Sequence, residues 1–87
     1  MNIPWDKATE EKFKQLLDKI PIFMRGIAEE KVSQRAQRIA GESGRPTIGE
    51  KEMVDAFFAE TPFGFHGPMK SDMDAAGIDY TRYGHPK

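Results

Sequence analysis

Apolar residues recur at helical spacing in three separate segments of the chain. The first segment runs from residue 7 to residue 19, with Asp6 placed to accept hydrogen bonds from the free amides of the first turn. Its apolar stripe consists of Phe13, Leu16, Leu17 and Ile20. Charged and amide side chains take the opposite side, so the pattern predicts an amphipathic helix over 7–19.

The second and third segments are also typical of helices. Small apolar residues at helical spacing predict a long helix over 25–41, followed by a stop at Gly41, Gly44 and Pro46. A third helix is predicted over 48–60, with Thr47 and Glu50 as a capping box and Pro62 beyond its end. The apolar residues of these two helices are Ala28, Val32, Ala36, Ile39 and Ala40, then Met53, Val54, Phe57 and Phe58.

The stretch from Ile20 to Gly26 predicts a corner between the first two helices. Pro21 supplies no N–H and clashes with the preceding turn, so the first helix must end or bend there. We expect Phe23 and Met24 to fill the space between helices, because exposure of each costs about 1.5 to 3 kcal/mol. Arg25 either caps a carboxylate or a helix end within the protein, which we favour, or presents its guanidinium to a ligand. Gly26 lets another backbone approach closely.

Trp5 precedes the first helix and is the single tryptophan. We favour a structural role, as a lid folded back over Ala8 or Thr9, over stacking on a ligand.

Glycine and proline become frequent after Thr61, which divides the chain into residues 1–60 and residues 61–87. The later part carries too many large side chains for an ordinary disordered tail, so these either wrap the helical core or await a partner. They are Phe63, Phe65, Ile78, Tyr80 and Tyr83. A short helix over 70–76, ended by Gly77, fits within it. The overall prediction is an all-α fold: a compact three-helix domain with a partly ordered C-terminal extension.

Charge and composition narrow the function classes. Thirteen basic and fourteen acidic residues give a net charge of −1, which argues against a dedicated nucleic-acid binder. The cluster of Lys31, Arg35 and Arg38 keeps nucleic-acid binding as an alternative. The chain has no cysteine for a disulfide or a metal thiolate. Because neither a membrane span nor a signal peptide is recognisable, we expect a cytoplasmic protein.

No residue pattern indicates a reaction. His66 and His85 lack the spacing of a metal site, even with several aspartates nearby, and the sequence predicts no metal, no cofactor and no catalytic residue. We expect His66 to hydrogen-bond within its loop and His85 to lie in solvent.

Trp5, the corner Ile-Pro-Ile-Phe-Met-Arg-Gly at residues 20–26, Ala36 and the segment 47–56 together resemble a known family. The chain is similar to the small C-terminal domain of the B subunit of light-independent protochlorophyllide reductase. The resemblance covers roughly residues 4 to 60. It implies a helical module attached to an oxidoreductase whose iron–sulfur clusters are held elsewhere, with Trp5, Pro21, Phe23, Arg25 and Gly26 as its signature.

The first functional hypothesis is therefore a non-catalytic interaction module, accessory to a redox or tetrapyrrole-reducing enzyme. Its candidate binding residues are the signature positions together with Phe63, Phe65, His66, Tyr80 and Tyr83. The alternatives are direct participation in such a reductase, at the pigment site or a subunit contact, and nucleic-acid binding. We expect no catalysis by this chain alone and a protein as its partner.

Overall fold

Residues 2–87, which the computed structural model describes, form four α-helices and two short 3₁₀ turns. The helices are α1 (Lys7–Asp18), α2 (Ile22–Glu42), α3 (Glu50–Glu60) and α4 (His66–Ala75), and the turns are Phe63–Phe65 and Tyr80–Tyr83. The all-α prediction is confirmed. Among these helices none combines the length and the apolar character needed to cross a bilayer.

The core lies where α2 crosses α3. Ala36 and Ala40 of α2 are fully buried, and their small side chains let α3 come close. Phe13 of α1 closes this core through an edge-on contact with Phe57, with ring centroids 5.8 Å apart. The other large buried side chains of the first three helices are Leu16, Leu17, Val32, Met53 and Val54.

The N-terminal segment is fastened to the loop between α2 and α3. The Asp6 amide donates to the Ile48 carbonyl at 2.9 Å, and the Ile48 amide donates to the Pro4 carbonyl at 2.9 Å. Gln37 adds a two-way link, since its side-chain amide accepts from the Ile3 N–H and donates to the Ile3 carbonyl. These bonds hold Trp5 against Phe13, with the rings stacked at 4.6 Å. Trp5 therefore covers the core, over Phe13 rather than over Ala8 or Thr9.

The start of α3 corrects the predicted capping box. Ile48 uses both backbone groups in the bridge to the N-terminal segment, so the helix begins two residues later than predicted, at Glu50. Gly49 is the N-cap, and the carboxylate of Glu52 accepts from the Gly49 N–H at 2.8 Å. Thr47 is exposed and does not cap the helix.

The C-terminal part of the chain completes the same core. Met69 and Met73 of α4, then Ile78 and Tyr80, are buried, so this part packs back as predicted. Gly77 has φ +74°, a conformation that other residues rarely adopt, and it turns the chain so that the Ile78 N–H reaches the Met73 carbonyl at 2.9 Å.

The fourth helix begins earlier than its predicted start at residue 70. Pro68 is its third residue, and there the missing N–H breaks no helical hydrogen bond.

Candidate interaction surface

Arg25 joins the ends of α1 and α2. Its Nε donates to the Leu17 carbonyl at 2.9 Å, and its Nη2 donates to the carbonyls of Asp18 and Ile20 at 3.3 and 3.0 Å. Pro21 has no N–H to donate to the Leu17 carbonyl, which accepts from the Ile20 N–H at 3.0 Å instead, and the guanidinium adds a second donor there. Of the two interpretations of Arg25, the internal helix cap is confirmed.

Phe23 faces solvent, and its predicted place between the helices is wrong. The side chain is 79% exposed, and Met24 is 51% exposed. Because α2 begins directly after Pro21, Phe23 lies on the helix about half a turn away from the buried Val32. Gly26 is also open: apart from its own helix, no atom lies within 4 Å of the position a Cβ would take, so no other element approaches it.

An apolar groove of about 440 Å³ lies between the α1–α2 corner and the C-terminal part of the chain. Buried residues including Leu16, Val32 and Phe57 form part of its lining. One wall comes from the corner and the first turns of α2: Lys19, Ile20, Pro21, Met24, Ile27, Ala28 and Lys31. The other comes from the end of α3, the first 3₁₀ turn and α4: Glu60, Thr61, Pro62, Phe65, Pro68, Met69 and Asp72.

Large apolar side chains stand exposed on the elements that form this groove, and we call them the apolar rim. They are Ile22, Phe23, Met24, Ile27, Phe63 and Phe65. Met24, Ile27 and Phe65 line the groove itself, and the other three adjoin a lining residue in the sequence. The extension therefore divides: Ile78 and Tyr80 wrap the core, whereas Phe63 and Phe65 remain in solvent. Such a patch on a small protein is typical of a binding surface.

Trp5 and Gly26 line a second, shallower cleft of about 400 Å³ between α1 and α2. Its other lining residues are mostly charged or polar, including Glu10, Glu29 and Glu30. The five signature residues thus fall in different places: Pro21 lines the groove, Phe23 and Arg25 lie at the corner beside it, and Trp5 and Gly26 face the second cleft.

The two histidines pack around Phe58. The His66 ring meets Phe58 edge-on at 5.1 Å and donates from Nε2 to the Thr61 carbonyl at 2.9 Å, the local hydrogen bond predicted for it. The predicted place of His85 in solvent is wrong, because its ring stacks on Phe58 at 3.9 Å and its Nε2 lies 2.6 Å from Asp55 Oδ1. Within residues 2–87 no group of three or more potential metal ligands converges.

Both tyrosines are held close to the core. Burial raises the pKa of the Tyr80 hydroxyl, and the carboxylates of Asp74 and Asp79 raise it further. Burial is also the main cause that raises the pKa of Tyr83, with Glu50 adding to it. Tyr80 packs on Phe58 at 5.8 Å and belongs to the core rather than to the groove.

Sequence reasoning did not single out Ile27, although a signal for it exists. On a helix beginning at residue 22, Phe23 and Ile27 lie on the face opposite the buried Val32 and Ala36, nine residues from each in turn. A helix that is apolar on a second face has more apolar surface than one core contact can cover. Fixing the start of α2 at Pro21 is the step that would have revealed this face.

The fold and the groove define a small all-α domain with one exposed apolar surface beside a groove between helices. No known protein family, curated protein or solved structure matches this chain. The resemblance to the protochlorophyllide reductase domain stays a prediction.

Proposed function

We propose that this chain is a non-catalytic interaction module that binds a partner protein through the groove and its apolar rim. The observation that carries the proposal is the continuity between a preformed apolar groove and exposed side chains such as Phe23 and Phe63. Leaving each in water forgoes about 1.5 to 3 kcal/mol, which a partner surface would recover. Three side chains that could have served catalysis support a non-catalytic role. Arg25, His66 and His85 each hydrogen-bond to another residue of the chain.

A more specific form of the proposal names the class of the partner, which is a redox or tetrapyrrole-reducing enzyme. Its support is the resemblance of residues 20–26, and the internal cap made by Arg25 accounts for the arginine of that motif in structural terms. An arginine that joins two helix ends suits an accessory domain, because it stabilises the corner that presents part of the apolar rim.

Site-specific photo-crosslinking in the native cell tests the proposal. A photoreactive residue at Phe23 or Phe63 should form an adduct of one discrete mass, because both positions are exposed beside the groove. The matched control is Ser43, which is exposed beyond the far end of α2, about 30 Å along the helix from Phe23 and outside the groove. No adduct from Phe23 or Phe63, or the same adducts from Ser43, would refute the module. A partner unrelated to redox chemistry would refute only the accessory role.

The groove also supports a second candidate, direct participation in pigment binding. Its volume of about 440 Å³ falls in the range of pockets that hold small apolar ligands. Titration of the chain with protochlorophyllide should then shift the pigment's absorption band, and Ile27→Asp should abolish the shift. An unchanged band at high micromolar concentration would exclude this candidate.

A further inference from the structure

The groove carries an uneven set of charges at its edges. Lys19 and Lys31, both exposed, lie on the α1–α2 side, and within residues 2–87 neither has a carboxylate at ion-pair distance. On the opposite side Glu60 is already paired with Arg35 at 2.8 Å, which leaves Asp72 as the unpaired carboxylate of the lining. One wall of the groove is therefore positive.

The shape of the groove suits a helix. On α2 the lining residues are Met24, Ile27, Ala28, Lys31 and Val32. They follow the spacing i, i+3, i+4, i+7 and i+8, so the wall is a straight strip about 12 Å long. The facing wall, which includes Phe65 and Pro68, leaves an open apolar trough between two helical elements. Amphipathic helices bind such troughs with apolar side chains at i, i+3 or i+4, and i+7.

The apolar rim favours a macromolecule over a small ligand. A compound that fills the groove would leave Phe23 and Phe63 in water, because these side chains stand outside the lining. A helix that belongs to a protein can fill the trough, and the rest of that protein can cover these two side chains.

We infer that the groove binds an amphipathic helix of a partner protein whose apolar stripe is flanked by glutamate or aspartate on the side that meets Lys19 and Lys31. This inference rests on the proposed interaction module and specifies its partner. The apolar stripe supplies the burial, and the acidic flank sets the orientation, since opposite charges across an interface select one docking register.

Two designed peptides test the inference with the full chain. Both carry the same leucine stripe at i, i+3, i+4 and i+7, and their flanks are glutamate in one and lysine in the other. Binding is followed by fluorescence anisotropy, and helix formation by circular dichroism. We expect the acidic peptide to bind at least about tenfold more tightly than the basic peptide at low salt, and to become helical on binding.

Charge reversal supplies the matched variants. Lys19→Glu with Lys31→Glu should reverse the preference, so that the basic peptide binds more tightly. Lys7→Glu with Lys14→Glu changes the net charge equally at exposed positions outside the groove and should leave the preference unchanged.

The remaining outcomes would overturn the inference. One such outcome is equal affinity of the parent chain for the two peptides. Another is a Lys7/Lys14 variant that prefers the basic peptide. Either would show that Lys19 and Lys31 do not select an acidic helix. A chain that dimerises in sedimentation and becomes monomeric on Phe23→Ser would assign the surface to a second copy. Each of these results, combined with a discrete adduct at Phe23, would refute the acidic helix and leave the interaction module standing.

Discussion

The Nε atom of Arg25 donates a hydrogen bond of 2.9 Å to the carbonyl oxygen of Leu17, eight residues earlier in the chain. The same side chain reaches two further carbonyls, so one guanidinium holds the end of α1 at a fixed angle to the start of α2. The wall of the groove that comes from this corner therefore depends on this contact.

Removing this contact should weaken the fold. Arg25→Ala should lower the free energy of unfolding by about 1 to 3 kcal/mol, the usual effect of losing hydrogen bonds to a charged group. Arg25→Lys should recover only part of the loss, because an ammonium lacks the planar fork that reaches several carbonyls. Urea unfolding measures both. Arg38→Ala, at an exposed position of the same helix, is the control, and an equal effect there would contradict the capping role.

The C-terminal segment should unfold together with the helices before it. Ile78 is 2% exposed, so Ile78→Ala should lower stability by about 2 to 5 kcal/mol and retain a single unfolding transition. Phe63→Ala, at a side chain that is 88% exposed, should change stability by less than about 0.5 kcal/mol. Two separate transitions in thermal unfolding, or equal effects of the two variants, would show that residues 61–87 are not part of the core.

Glu52 should stabilise the fold as a hydrogen-bond acceptor as well as through its negative charge. One oxygen accepts from the Gly49 N–H, and the other lies 3.7 Å from Arg45 Nε. Glu52→Ala should lower stability by about 1 to 2 kcal/mol, because it leaves the N–H of the helix cap without its partner. Glu52→Gln keeps an acceptor for Gly49 and should cost less. Chemical denaturation compares them, with exposed Glu30→Ala as control. A glutamine variant as unstable as the alanine variant would mean that the charge dominates.

Stability should fall in alkaline solution partly because of Tyr80. Its pKa is raised in the folded chain, chiefly by burial, so the folded state keeps the hydroxyl proton after the unfolded state has begun to lose it. The stability tied to this proton is complete below the unfolded pKa of about 10 and is lost as the pH rises through the folded pKa. Tyr80→Phe should therefore show a shallower loss of stability above pH 10 than the parent chain. Parallel slopes in denaturant titrations at several alkaline pH values would contradict this.

Much of the fold follows from local patterns. The start of α1 after Asp6, the break at Pro21 and the left-handed turn at Gly77 are each determined by one or two residues, and the structure shows all three. The buried stripe that includes Ala36 and Ala40 follows from helical period alone. These features were predictable because the preferences of a helix and its caps act over a few neighbouring residues.

The sequence by itself therefore determined that the chain is all-α and that α1 ends before Pro21. It also determined that Pro21 forms the corner between the first two helices. Only the tertiary structure decided that Phe23 faces solvent, that His85 stacks on Phe58, and that Ile48 is held by the N-terminal segment. The reason is physical: periodicity tells which side chains share a face, whereas exposure depends on which elements, distant along the chain, cover that face. The groove belongs to this second kind of feature, because one wall comes from the α1–α2 corner and the other from the end of α3, the first 3₁₀ turn and α4, which are distant along the chain.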